Sequence, residues 1–156
     1  AMIRTGQSQL REPLYSKKAQ DRTTDWGKTY VEIDLTNQHV YMYQDGNLAW
    51  DAPCVTGNVS KNYTTPEGIY SLTYKQTDRV LRGEKKADGT YEYESHVDYW
   101  MPFNGGIGLH DASWRSKFGG TIYQYGGSHG CINLPSGKAK TLYDMVYTGI
   151  PVICYN

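Results

Sequence analysis

Apolar and polar positions alternate with a period of two along most of the chain, the spacing of strands whose successive side chains point to opposite faces. Val31, Ile33 and Leu35 alternate with Tyr30, Glu32 and Asp34, which predicts a strand with one face buried and one in water. Asn37-Gln38 turns the chain into a second strand, His39 to Gln44, and Asp45-Gly46 turns it into a third, Leu48 to Thr56. A polar loop from Gly57 to Thr65 runs through Pro66-Glu67-Gly68 into the strand Ile69 to Lys75, so this section reads as a meander. From Gln76 to Trp100 charges are denser, Asp88-Gly89 supplies a turn, and Tyr91, Tyr93, Ser95, Val97 and Tyr99 share one face: a projecting hairpin. So many charges cannot be buried on both faces. Its tyrosine side either packs on the sheet or overhangs a groove as a lid, and the lid is expected.

The period changes to 3.6 near the C-terminus, where Ala139, Leu142, Tyr143, Met145 and Val146 recur at helical spacing. This predicts a helix from Ser136 to Tyr147, opened by Pro135-Ser136 and ended by Gly149, whose apolar stripe belongs to the core. Asp111 to Phe118, closed by Gly119-Gly120, reads as a second, short helix, and Pro151 to Tyr155 as a closing strand. Strands joined by hairpins around one substantial helix predict a mainly β fold: a sandwich or an open barrel-like arrangement of mixed sheets with the helix at its side.

The chain has 156 residues, enough for one domain with a single core, placed at 26–156 with 76–100 as the inserted hairpin. Ala1 to Asp25 is polar and aperiodic and reads as a linker or the end of a preceding domain. Sixteen basic residues balance sixteen acidic ones with no basic run, so nucleic acid is not an expected partner. No apolar run of about twenty residues and no signal-peptide core is present, so no membrane span is expected in these residues. Cys54, Cys131 and Cys154 are an odd number, so at least one thiol stays free. Cys54 and Cys154 sit in strand-like apolar runs and are expected to pack as small hydrophobes.

Cys131 is different. The stretch Gly126-Gly127-Ser128-His129-Gly130-Cys131-Ile132-Asn133 places a thiol, an imidazole and a hydroxyl within four residues, bracketed by glycines that permit sharp turns and close approach. Such a loop presents a nucleophile and can offer its own N–H groups to an oxyanion, here those of His129, Gly130 and Cys131. Free cysteine has a pKa of about 8.5, so an imidazole must take or share its proton. His129 is two residues away, but so near a neighbour rarely aims its ring at the sulfur. His110 ends the glycine-rich run Asn104-Gly105-Gly106-Ile107-Gly108-Leu109 and approaches from another strand, so it is the expected base. Trp114, about one turn further on, either walls the site or packs. Asp111 and Arg115 read equally as solvated surface charges, and His39 and His96 as surface residues.

His110, seventeen residues, then Ser128-His129-Gly130-Cys131, an apolar residue and Asn133 resembles the signature of the L,D-transpeptidase catalytic domain family. The phrases Asp34-Leu35-Thr36-Asn37-Gln38, Val55-Thr56-Gly57 and Thr65-Pro66-Glu67-Gly68 extend the likeness from about Tyr30 to the C-terminus. The resemblance implies Cys131 as nucleophile, His110 as base and Ser128 orienting the imidazole, whereas serine is also common in tight turns and Ser128 reads equally as a residue bonded to local backbone. His129 and Gly130 are expected oxyanion donors, Asn133 either binds substrate or fixes the loop, and Trp114 and Gly106 are expected to face substrate. It also implies a substrate: the tetrapeptide stems of peptidoglycan as donor and acceptor, cleaved after the third, diamino-acid residue with release of D-Ala and joined as 3→3 cross-links. Acylation by carbapenems, no metal or organic cofactor, a monomer and a site outside the cytoplasmic membrane, in a parent with an N-terminal anchor, follow in the same way. Hydrolysis of the same bond, an L,D-carboxypeptidase, is the nearer alternative. A zinc site of His110, His129 and Cys131, or a non-catalytic wall-binding module using the fifteen tyrosines, are the more distant ones.

Overall fold

The computed structural model describes residues 28–156. The segment read as a linker, 1–25, and the two residues that open the expected domain lie outside the described residues. The first five-stranded sheet comprises β1 (Tyr30–Asp34), β2 (His39–Gln44), β3 (Asn47–Pro53), β4 (Gly68–Ser71) and β9 (Pro151–Tyr155), in the order β3-β2-β1-β9-β4. The second comprises β5 (Gln76–Arg82), β6 (Glu94–Asn104), β7 (Ile107–Asp111) and β8 (Ile132–Leu134), in that order. Each sheet is mixed: β1 pairs in parallel with β9, and β7 with β8. A short helix, α1 (Ile122–Gly126), precedes the nucleophile loop, and the main helix, α2 (Ser136–Met145), packs against β7, β6 and β3. The expected mainly β architecture of mixed sheets with one main helix is therefore the one observed.

One apolar core joins the two sheets. Val31 and Ile33 of β1, Val152 of β9, Met101 of β6, Leu109 of β7, Ile132 and Leu134 of β8, and Ala139 and Leu142 of α2 all belong to it. Trp50 ties the first sheet to the helix by donating its indole N–H to the Lys138 carbonyl at 3.1 Å. This core fixes β7 and β8 side by side, which is what the site requires.

Several local expectations change. β1 is buried on both faces, Glu32 and Asp34 included, because it is the middle strand of its sheet. Asp34 accepts the backbone N–H and side-chain amide of Asn37 at 3.0 and 2.8 Å, and Tyr155 donates its hydroxyl to Glu32 at 3.1 Å. β3 ends at Pro53, and Cys54 to Thr56 leave that sheet to bond β8 of the other, Val55 pairing with Asn133. The short helix expected from Asp111 to Phe118 is absent. Asp111 completes β7, and its carboxylate accepts the N–H groups of Asp98 and Tyr99, so the residue is committed to the sheet. The helical turn lies further on, at α1.

Cys54 and Cys154 are buried and free, as expected. Burial pushes the Cys154 thiol up to about 12 and, with the charges of Asp34 and Cys154 adding to it, pushes Cys54 up as well. Iodoacetamide at pH 8 is therefore expected to modify the native protein at Cys131 alone and at all three thiols after denaturation, with peptide mapping as the readout. Rapid native modification of Cys54 or Cys154 would contradict their placement.

Candidate active site

The nucleophile loop is held by a segment of chain that belongs to neither sheet. Ser128 donates its N–H to the Thr56 carbonyl at 2.9 Å, Asn58 donates to the Ser128 carbonyl at 2.9 Å, and Val55 and Asn133 exchange bonds of 3.0 and 2.8 Å. The buried hydroxyl of Thr65 accepts the Gly57 N–H at 3.0 Å and donates to the Gly130 carbonyl at 2.6 Å. Gln38, also buried, holds Thr56 from behind through its backbone N–H at 2.9 Å and its hydroxyl at 2.8 Å. The Thr-Gly and Thr-Pro-Glu-Gly phrases of the sequence are thus the cradle of the loop. A glycine-rich turn has no rigidity of its own, and these bonds supply it.

The parallel register sets the chemistry. Leu109 pairs with Ile132 and both enter the core, while His110 pairs with Asn133 and both face a cleft. Cys131, two residues before Asn133, opens on the same cleft, a space of about 230 Å³ walled by Leu81, Tyr93, Trp114 and His129. Its sulfur lies 3.4 Å from the Gly106 carbonyl, to which the thiol donates. Burial pushes the thiol up to about 11, against the pull of a backbone hydrogen bond from Gly108. His110 is buried between the indoles of Trp100 and Trp114, each centred 5.9 Å from its ring. Burial lowers its pKa, and the nearby Arg115 charge lowers it further, against the raising effect of the Asp111 carbonyl and carboxylate. Both groups therefore rest uncharged near neutral pH. Its Nδ1 is 2.7 Å from the Asp111 carbonyl, an oxygen that can only accept, so Nδ1 carries the proton and Nε2 is left as the basic atom.

Ser128 is the main correction. Of its two readings, orienting the imidazole or bonding to local backbone, it takes the second and closes its own loop, donating to the Cys131 carbonyl at 2.5 Å and accepting the Gly130 N–H at 3.1 Å. The imidazole is held by the Asp111 carbonyl and by Asn133, whose amide nitrogen is 3.3 Å from Nε2. Gly130 is the second correction. Its N–H is taken by Ser128 and is not open to an oxyanion.

His129 has partners of its own. Its ring sits between Tyr63 and Tyr93, at 4.4 and 4.5 Å, with the Glu92 carboxylate 3.7 Å from Nε2. His110 and His129 thus have different partners, and among the described residues no group of three His, Cys, Asp or Glu side chains is placed to hold a metal ion. Trp114 is half exposed on the cleft wall. The hairpin contributes Leu81, Tyr93 and Ser95 to the cleft, so its tyrosine side does wall the groove. Asp111 and Arg115 are not solvated surface charges: Asp111 is buried, and half-buried Arg115 donates to Asn133 at 2.7 Å and to the Gly126 carbonyl at 2.9 Å. Arg115 is a site residue that sequence left undecided. His39 and His96 are paired with Asp51 and Asp78, at 2.5 Å each, away from the cleft.

The two-sheet β fold brings the half-buried Cys131 thiol and the buried His110 imidazole to one cleft. The model of the L,D-transpeptidase catalytic domain matches residues 28–154, and the chain belongs to that family. The cysteine-to-serine variant of Enterococcus faecium L,D-transpeptidase is 40% identical with a TM-score of 0.74, over 82% of this chain and 50% of that one. The catalytic domain of the E. faecium enzyme acylated by ertapenem is 42% identical with a TM-score of 0.70, over 82% of this chain and 97% of that one. An L,D-transpeptidase from Mycobacterium smegmatis shares the fold at 24% identity and a TM-score of 0.69, over 83% of this chain and 59% of that one. The chain thus spans about half the length of the crystallised E. faecium protein. No curated protein matches it.

Proposed function

We propose that this chain is the catalytic domain of a cysteine-dependent L,D-transpeptidase that forms 3→3 cross-links between peptidoglycan stems. The observation that carries the reading is the pairing on one cleft of the Cys131 thiol with an imidazole whose Nδ1 proton is tied down, leaving Nε2 to act as base. With the thiol near 11 and the imidazole unprotonated, no resting ion pair forms, so proton transfer accompanies attack. The sulfur bonds to the carbonyl carbon of the third stem residue as its proton passes to Nε2 of His110. The C–N bond to D-Ala then breaks, and that proton goes to the departing amine. The side-chain amine of a second stem attacks the thioester, the new amide forms, and the S–C bond breaks. The acceptor's proton returns through the imidazole to sulfur. In both halves the N–H groups of His129 and Cys131 would face the oxyanion, where one donor is typically worth about 3 kcal/mol.

The likeness to an ertapenem-acylated domain supports β-lactam acylation of the same sulfur. We infer that the enzyme works outside the cytoplasmic membrane, where such stems lie, and as a monomer. Intact-mass analysis after incubation with ertapenem tests the nucleophile: one adduct on the parent and none on Cys131→Ala is expected. An adduct persisting on the variant would move the nucleophile elsewhere. Mass spectrometry of products from a tetrapeptide muropeptide then separates the dimer of a transpeptidase from the tripeptide of a carboxypeptidase.

A further inference from the structure

We propose that Arg115 is a positioning residue that, acting through Asn133, fixes the tautomer of His110 and so keeps its Nε2 an unprotonated acceptor for the Cys131 proton. This rests on the assignment of His110 as the base. Three hydrogen bonds in series support it. The Arg115 Nε–H meets Asn133 Oδ1 at 2.7 Å, Asn133 Nδ2 meets His110 Nε2 at 3.3 Å, and His110 Nδ1 meets the Asp111 carbonyl at 2.7 Å.

The logic of the series lies in what each group cannot do. A guanidinium only donates, so the end of the Asn133 amide that faces Arg115 must be its oxygen. The other end, an NH₂ that also only donates, is thereby aimed at Nε2, which must then be an acceptor. Without Arg115 the buried amide could turn over and present its oxygen to Nε2. The ring would then have carbonyl-type acceptors at both nitrogens, an arrangement that suits the imidazolium and disables the base. Arg115 is itself held at a second point, its Nη1 donating to the Gly126 carbonyl at 2.9 Å, so the guanidinium spans the start of the nucleophile loop and the base. A planar, two-point donor is needed for that, and lysine is not its equivalent.

The charges around the imidazole are few. Asp111 lies on its own strand, with Asp98 of β6 donating a backbone N–H to that carboxylate, Arg115 follows β7, and the thiol of Cys131 opens on the same cleft, as do Tyr93 and His129. Arg115 is the guanidinium among them. Its charge and its hold on the Asn133 amide act in the same direction, both disfavouring a proton on Nε2.

The test uses two readouts on the described chain. The rate of Cys131 acylation by ertapenem is followed from pH 5 to 9 for the parent, Arg115→Gln, Arg115→Lys and Asn133→Asp, with near-UV circular dichroism as the check on folding. Nitrogen NMR shifts of the His110 ring are read in the same proteins. The parent should show a protonated Nδ1 and an unprotonated Nε2 at pH 7. Arg115→Gln should lose about ten- to a hundredfold in rate at neutral pH and recover at higher pH, its imidazole holding a proton longer. Arg115→Lys should keep the parent's pH midpoint better than Arg115→Gln, and Asn133→Asp should move the midpoint upward most. A uniform drop in rate with an unmoved pH profile and the parent's tautomer would assign Arg115 a merely structural role and overturn the proposal. Were the parent to form no adduct, the assignment of Cys131 and His110 would fail instead, and the ring shifts would still decide whether Arg115 sets the tautomer.

Discussion

Replacing His110 by alanine is expected to slow acylation of Cys131 by ertapenem by about 10²- to 10⁴-fold at neutral pH, the usual worth of a positioned general base. The pH dependence should change with it. The Cys131 thiol rests near 11, so without a base the reaction depends on a thiolate that grows about tenfold for each pH unit below that value. The variant's rate should therefore keep climbing from pH 7 to 10, while the parent's levels off once its imidazole is unprotonated. His129→Ala should lose far less, because its ring is engaged by Tyr63, Tyr93 and Glu92. Timed intact-mass measurements across that pH range decide the matter, and a greater loss in His129→Ala than in His110→Ala would reverse the assignment. Stability carries a second signature. Burial lowers the folded-state pKa of His110 below its unfolded value of 6.5, so its contribution to stability is present above that pH and is lost as pH falls below it. The alanine variant should lack this part of the acid sensitivity.

What could be read from residues alone was mostly what depends on local chemistry. The two-residue period located β2 at its observed bounds, because alternation survives in a strand with one covered face, and the closing strand β9 also falls at the expected residues. It misread β1, where the central place in a sheet buries the polar positions too, and no local pattern announces a strand's neighbours. The helix at Ser136 was legible, whereas the one expected from Asp111 is not formed, since Asp111 ends β7 and its carboxylate bonds to the neighbouring strand β6. At the site, Cys131 and His110 stood out through their glycine setting and the long signature. The bonds that hold them did not: Ser128 bonds to the Cys131 carbonyl, a choice of partner that residue spacing does not make. Arg115 was recoverable only in part. An arginine one residue after Trp114 and five after the base is close enough to reach it, but nothing in the spacing says that its partner is the asparagine of the nucleophile motif.

Gly57→Ala should be the most damaging single methyl that can be added to this chain near the site. A Cβ built on Gly57 would lie 1.7 Å from the Tyr63 carbonyl oxygen and 2.8 Å from the Thr65 nitrogen, both backbone atoms that cannot rotate aside. Relief requires moving the cradle, and with it the bond from Gly57 to Thr65 and the bond from Thr65 to the Gly130 carbonyl. A cost of about 3 kcal/mol or more is expected, at or above the upper end of ordinary overpacking. In a chain of this size that is a fall of roughly 6–12 °C in Tm. Acylation should fall along with it even where the variant remains folded, because the same bonds set the peptide planes that follow Ser128. Two other glycines make the comparison sharp. Gly106→Ala and Gly137→Ala would meet nothing within 4 Å. Gly106→Ala should fold normally and report only on its place beside the sulfur. Gly137→Ala, in the first turn of α2, should raise stability by about 0.5–1 kcal/mol through the loss of backbone freedom in the unfolded chain. Calorimetry on the three variants, paired with acylation rates, would show whether the cradle acts on the nucleophile or only on the fold: Gly57→Ala protein with a normal Tm would mean that the 57–65 loop yields more readily than its packing implies.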